Sequence, residues 1–403
     1  VTAVLFVGAG RHQRRAIVRV RQLGFRVVAV DRNADAPGLA ESDVAEVVDF
    51  ADVDAVVEVG RRHRVKGVLT VAADRAVPVV AAVAEQLGLP SIGSGVARRM
   101  TDKAAMREAL AAAGVPQPRF AMARDIGDAR DALAEIGTPA VLKPADSSGQ
   151  RGLSIVERES DLDAALDAAL DASPTARALL EELVLGSEQN TMAVARAGEP
   201  LVLTVSDRLR PDGPGFGVAL AHVFPSQLGG VQVSLVERVA ADAIRALGLR
   251  DGIAYPQLLV SPDGRVVVVE VAARIPGGQM GELVRIGIGV DLVEVAVLQA
   301  LGEEVRHELV RPAFSQPLAI RFLTAVPGHL PAGRVTRVGP LDAVLAAPGV
   351  VQAETYLQTG ETIRPVQKDG DRRGYVIAVD DTAPEALRRA DAAAALLDVE
   401  VEP

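Results

Sequence analysis

The chain has 403 residues, with 53 Asp and Glu against 43 Lys and Arg for a formal net charge of −10, and it is 49% hydrophobic but only 3% aromatic. That length suits about two to four domains, each large enough for its own core, and the acidic balance argues against a nucleic-acid binder, whose affinity rests on clustered Lys and Arg. With no cysteine, disulfides, thiol nucleophiles and zinc–cysteine sites are excluded, and five scattered histidines are too few to suggest a histidine metal cluster.

From the first residue, short β-branched runs alternate with helical patterns. Strands are expected at 4–7, 27–30 and 68–71, and helices at about 14–23, 53–63 and 76–87, which together read as a doubly wound α/β unit. The opening residues lack the features of a secretory leader. Apolar stretches such as 77–84 are broken by Pro78 and soon meet Glu85, short of the ~18–20 residues that a membrane span needs. The expected setting is a reducing cytoplasm without membrane attachment. Gly8, Gly10 and Asp31 imitate a dinucleotide fingerprint, but the third glycine is replaced by Gln13, so NAD binding is the poorer reading.

A helix at 101–113 stops at Gly114, with Pro116 and Pro118 beyond it, as at an inter-domain linker. Strand, helix, strand, glycine-rich loop, strand and helix follow to 174. A larger α+β block runs to 302, and after Arg311 and Pro312 a β-rich tail ends in a helix at 383–396. The expected domains are 1–96, 97–177, 178–310 and 311–403.

Three constellations carry chemistry. In the first, within 140–156, two strands flank a loop of small residues, with Lys143 on the entering strand ahead of Ser147, Ser148, Gly149 and Gly152. Small residues let backbone N–H groups wrap an anion while the lysine adds charge, which makes a phosphate cradle. It is not a P-loop, because the lysine precedes the glycines and a strand follows. The second is Glu181 and Glu182, then Val184 and Glu188, at the end of an apolar strand. Free backbone groups in such a connector can read a base edge, while a carboxylate accepts ribose hydroxyls. The third is a hairpin around Pro262, Asp263 and Gly264. Pairing Val260 with Arg265 puts Gln257 opposite Val268 and diagonal to Glu270 on one face, with Ala272 and Arg274 continuing it. A carboxylate inside four valines needs a cation, and oxygen donors of this kind suit Mg²⁺.

In order and spacing, these constellations resemble the ATP-grasp superfamily over nearly the whole chain. The resemblance implies a pre-ATP-grasp domain, an ATP-grasp fold of two α+β subdomains and a β-rich C-terminal subdomain. Arginine has almost replaced lysine here, leaving Lys66, Lys103, Lys143 and Lys368, and two of these fall where the family has its nucleotide lysines. By the same resemblance ATP is held by Lys103, Lys143, the loop Ser147, Ser148, Gly149 and Gly152, and Glu181. Glu182 and Val184 contact adenine, Glu188 holds the ribose, and Glu270 with Gln257 binds Mg²⁺, with Mn²⁺ as a substitute.

Within the superfamily, residues 270–278, then Gly289 to Leu292, 319–323 and 348–350 are most similar to the dipeptide-forming L-amino acid ligases. That likeness implies an acyl-phosphate intermediate, Arg274 stabilising the transferring phosphoryl group, Gly277 and Gly278 donating beside it, and His222, in a loop, contacting substrate. The implied partners are a small carboxylate and an amine, and related ligases are often homodimers. Two departures stand out: Gln257 replaces the usual first metal glutamate, and Ala272 the usual asparagine. They keep open a non-catalytic ATP-binding module. A purine-pathway ligase acting on a ribonucleotide is the rival enzyme, although Ile275, Pro276, Gly277 and Gly278 replace the run expected there after the arginine.

Overall fold

The computed structural model describes residues 1–147, 149–211 and 216–402. Its first sheet has four parallel strands in the spatial order Val44–Val47, Arg26–Asp31, Ala3–Val7, Gly67–Leu69. Ala3–Val7 is buried along its whole length, which is why it reads as an unbroken apolar run. The first helix, Arg11–Gln22, begins three residues before the expected 14, because its opening turn is polar and carries no apolar period. The false dinucleotide fingerprint is filled by the protein itself. Gln13 is buried against Gly8 and donates to Val71 O at 2.8 Å, and Asp31 accepts from the Ala9 N–H at 2.9 Å.

Helix Lys103–Ala112 is N-capped by Asp102, whose Oδ1 accepts from the Ala104 and Ala105 N–H groups. It leads into a small antiparallel sheet ordered Phe120–Ala123, Ala178–Glu182, Ala140–Pro144, Ser154–Val156. Helices Ile126–Ile136 and Leu162–Ala172 cover one face of it, packing Leu133, Leu166 and Ala169 against Leu142 and Leu180. Because Ala178–Glu182 bonds into this sheet, the chain crosses to the next one at 183–186.

The third sheet is antiparallel, with eight strands ordered Val266–Ala272, Gly252–Val260, Ser187–Arg196, Glu199–Leu209, Ala221–Phe224, Leu318–Phe322, Gly374–Val379, Val350–Thr355. It draws strands from both sides of residue 310. Helix Gly230–Leu247 seals one face through Val236, Val239 and Ile244; on the opposite face Met192, Val194, Ile253 and Tyr255 share a core with Ile17 and Leu283, while Gln257, Leu259 and Glu270 face the small sheet across a cleft. A last sheet of Thr362–Ile363, Gly333–Val338 and Val399–Glu402, with helix Ala383–Ala394, closes the C-terminal end. No helix among the described residues is long and apolar enough to cross a membrane.

Candidate functional site

The small and large sheets flank a cleft lined by Lys103, Lys143, Ser147, Gly149, Glu181, Glu182, Val184, Glu188, Gln257 and Glu270. The three constellations, far apart in sequence, therefore share one cavity. Ser148 lies outside the described residues. Gly152 stands behind the wall: with φ +70 it packs on helix Leu162–Ala172, where a Cβ would come within 2.6 Å of Ala172 Cβ.

On the small-sheet side Lys143 is buried, and its Nζ lies 2.7 Å from Glu181 Oε2. Burial lowers the Lys143 pKa from its ordinary value, and Glu181 offsets this only in part. The same burial would raise Glu181, but Arg107 and Lys143 outweigh it and hold that carboxyl at about 2. Glu181 is thus a buried, paired charge and not the solvated strand end its position suggests. Lys103 donates from its backbone N–H to Ala145 O and from Nζ to Ser147 O, both at 2.7 Å, which fastens the loop's entry to the linker helix. Its Nζ also lies 3.2 Å from Glu270 Oε1. At the mouth, Gln150 packs against Gly217, so two loops meet over the cleft.

The hairpin register differs from the sequence expectation. Val260 pairs with Val266, not Arg265, because Ser261 N–H bonds to Arg265 O at 2.9 Å and lengthens the turn by one residue. A bulge between Gln257 and Leu258 on one strand and Val268 and Glu270 on the other takes up Val269 as the extra residue. Gln257 therefore lies directly opposite Glu270, and Val269 and Glu270 both face the cleft while Val268 and Val271 face the helix. Across the next strand Gln257 pairs with Asn190, whose buried Oδ1 has no hydrogen-bond partner among the described residues. The Glu270 carboxylate and the Gln257 amide opposite it are oxygen donors at the cleft of the kind that fits Mg²⁺ sharing its coordination with phosphates. Glu188 is buried, and its Oε2 accepts from Arg208 Nη1 at 2.8 Å.

Arg274, Gly277, Gly278 and His222 lie beyond this cleft. Arg274 donates from Nε and Nη2 to the two oxygens of Asp74, each at 2.6 Å, leaving Nη1 buried without a partner among the described residues. Gly277 and Gly278 line a second cavity beside Arg11 and Tyr356. His222 lies on strand Ala221–Phe224, not in a loop, because that segment pairs on both sides and is buried throughout. Asn190 Nδ2 lies 2.9 Å from His222 Nδ1, and His222 Nε2 faces Gly278. Burial, with Arg208 and Arg372 nearby, lowers the His222 pKa well below its ordinary value and keeps the ring neutral.

Four contributors escape the sequence reading: Arg107, Asn190, Arg208 and Asp74. Arg107 follows Lys103 by one helical turn, a spacing that puts both on one face. The others are isolated polar residues in ordinary strands and turns, with no local signal.

Residues 102–308 match the family model for the carbamoyl-phosphate synthase L chain, ATP binding domain; 19–91 match the ATP-grasp N-terminal domain, and 328–402 the L-amino acid ligase C-terminal domain 2. An uncharacterized protein of Sinorhizobium fredii is 29% identical, covering 92% of this chain and 76% of its own length. The formate-dependent phosphoribosylglycinamide formyltransferase of Methanocaldococcus jannaschii is 24% identical over 98% of this chain and 96% of that one. The crystal structure of an L-amino acid ligase from Bacillus licheniformis superposes with a TM-score of 0.84 at 19% identity, covering 100% of this chain and 99% of that one. The chain spans only 32% to 38% of the carbamoyl phosphate synthase large chains it matches. With its middle half matched by that ATP binding domain and a matching N-terminal domain before it, the chain belongs to the ATP-grasp ligases.

Proposed function

We propose that the protein is an ATP-dependent carboxylate–amine ligase that joins an amino acid to an amine through an acyl phosphate, releasing ADP and phosphate. The observation that carries this reading is the meeting of Lys103, Lys143 and Glu270 at one cleft, with the Glu270 strand running on into Arg274, Gly277 and Gly278. The C-terminal match to L-amino acid ligases supports an amino acid as the carboxylate.

In this reading Lys143 and Lys103 hold the phosphate chain, the connector at Glu182 to Val184 takes the adenine, and Glu188 takes the ribose. Glu270 and the Gln257 amide oxygen would hold Mg²⁺, or Mn²⁺ in its place, which supplies charge neutralisation on the phosphates. A substrate carboxylate oxygen attacks the γ-phosphorus, and the bond to the ADP oxygen breaks. Arg274, clamped along one edge by Asp74 beyond the cleft, adds positive charge on the Glu270 side of the site that favours the moving phosphoryl group. The amine then attacks the acyl carbon, loses a proton and expels phosphate. The loops meeting at Gln150 and Gly217 keep water from the intermediate.

The test is phosphate release from ATP and Mg²⁺ with pooled amino acids, followed by mass spectrometry of the products. A condensed mass is expected, and replacing Lys143 or Glu270 with Ala should lower the rate at least about 100-fold in a protein of unchanged circular dichroism. Full activity in both variants would sink the assignment. The near full-length likeness to the formyltransferase favours a second reading, a ligase acting on a ribonucleotide; release with ribonucleotides but no amino acid would select it. ATP binding without turnover on either panel would mark a module whose metal site Gln257 and Ala272 have weakened.

A further inference from the structure

Arg107 is among the largest fully buried side chains, 1% exposed, on the helix that begins at Lys103. Its three nitrogens reach two different sheets. Nε donates to Glu181 Oε1 at 2.7 Å in the small sheet, where the other carboxylate oxygen holds Lys143. Nη1 donates to Val268 O at 3.1 Å and Nη2 to Val269 O at 2.8 Å in the large sheet. These two carbonyls belong to the bulge and immediately precede Glu270.

Val266–Ala272 is the edge strand of its sheet and carries the bulge, so backbone groups there lack ladder partners, and two such carbonyls in a core are costly unless a donor meets them. A planar guanidinium can meet both carbonyls and a carboxylate at once; an ammonium of the same charge cannot. Simple core filling is a poor account of the residue, since an apolar side chain would serve that purpose without a buried charge.

We propose that Arg107 is a positioning residue that fixes Lys143 on one wall of the cleft and Glu270 on the other at a single separation. The proposal rests on reading the cleft as the ATP and Mg²⁺ site. Arg107 touches no substrate and acts through Glu181 and through the bulge. Its loss should therefore disturb the alignment of metal and phosphates and leave amino acid recognition alone.

The experiment compares full-length wild type with Arg107→Lys and Arg107→Gln. It measures the thermal midpoint, ATP affinity without metal, the Mg²⁺ dependence of phosphate release and KM for the amino acid. Arg107→Lys keeps the charge beside Glu181 but releases at least one bulge carbonyl. It should need about tenfold more Mg²⁺ for half-maximal rate and lose about tenfold or more in kcat, with ATP affinity and amino acid KM within about threefold of wild type. Methylguanidinium should restore part of the lost rate in Arg107→Gln. An unchanged Mg²⁺ requirement in Arg107→Lys overturns the proposal. So does a rate loss in both variants that follows the thermal midpoint alone and is not rescued. Wild type that neither binds ATP nor releases phosphate overturns the cleft reading instead, and this one with it.

Discussion

Single residues in this site are set by what burial does to their charge. His222 is the clearest case: burial and two neighbouring arginines depress its pKa well below the ordinary 6.5. The unfolded chain takes up a proton that the folded chain refuses, so the stability tied to this residue is complete above the ordinary value and is lost as pH falls below it. The wild-type thermal midpoint should therefore drop between about pH 7.5 and about pH 5.5 by more than that of His222→Asn, read by scanning calorimetry at both values. An equal drop in the two proteins would contradict a buried neutral ring. The sequence shows this scale unevenly. Lys103 and Lys143 stand out because arginine serves as the cation almost everywhere else, whereas Arg107 and Arg208 are hidden by that same abundance.

Among the elements, the loop after Lys143 and the hairpin before Glu270 decide the shape of the cleft. Gly149 and Gly152 both have left-handed backbones, φ +73 and φ +70, but a Cβ at Gly149 would meet nothing within 4 Å, while one at Gly152 would meet Ala168 O at 2.7 Å and Ala172 Cβ at 2.6 Å. Gly149→Ala should cost about 1 kcal/mol of backbone strain, and Gly152→Ala about 2 to 3 kcal/mol, because the helix behind it must also move. Denaturant midpoints of the two variants would check the order; the reverse order would mean that the loop does not rest on that helix. The hairpin was only half legible. Pro262, Asp263 and Gly264 mark its turn, but four successive valines, Val266 to Val269, carry no alternation to reveal which is surplus. The bulge is chosen by contacts from elsewhere: Pro116 O accepts the Val268 N–H, and Arg107 takes the carbonyls.

Over the whole molecule, the first sheet does more than begin the chain. Asp74 follows it and clamps Arg274, and Ala72 N–H bonds to Ile275 O at 2.9 Å, so the first domain braces the segment that leaves the Glu270 strand. Asp74→Asn should lower kcat about 10- to 100-fold with KM for ATP nearly unchanged, measured by steady-state phosphate release; equal effects on both would place Asp74 in nucleotide binding instead. Such long-range pairings lie outside any local pattern, as does the eight-stranded sheet that joins strands from both sides of residue 310, whereas periodicity and turn residues alone show the alternation of strands and helices along the chain. The distribution of amines over the fold has a separate chemical consequence. Lys66 and Lys368 are exposed, and Lys103 and Lys143 are buried in ion pairs. Arginine stays protonated and is a poor nucleophile, so a surface this short of lysine offers a leaked acyl phosphate few side-chain amines to acylate. A ligase of the proposed kind would be shielded from its own intermediate by its composition as well as by its loops.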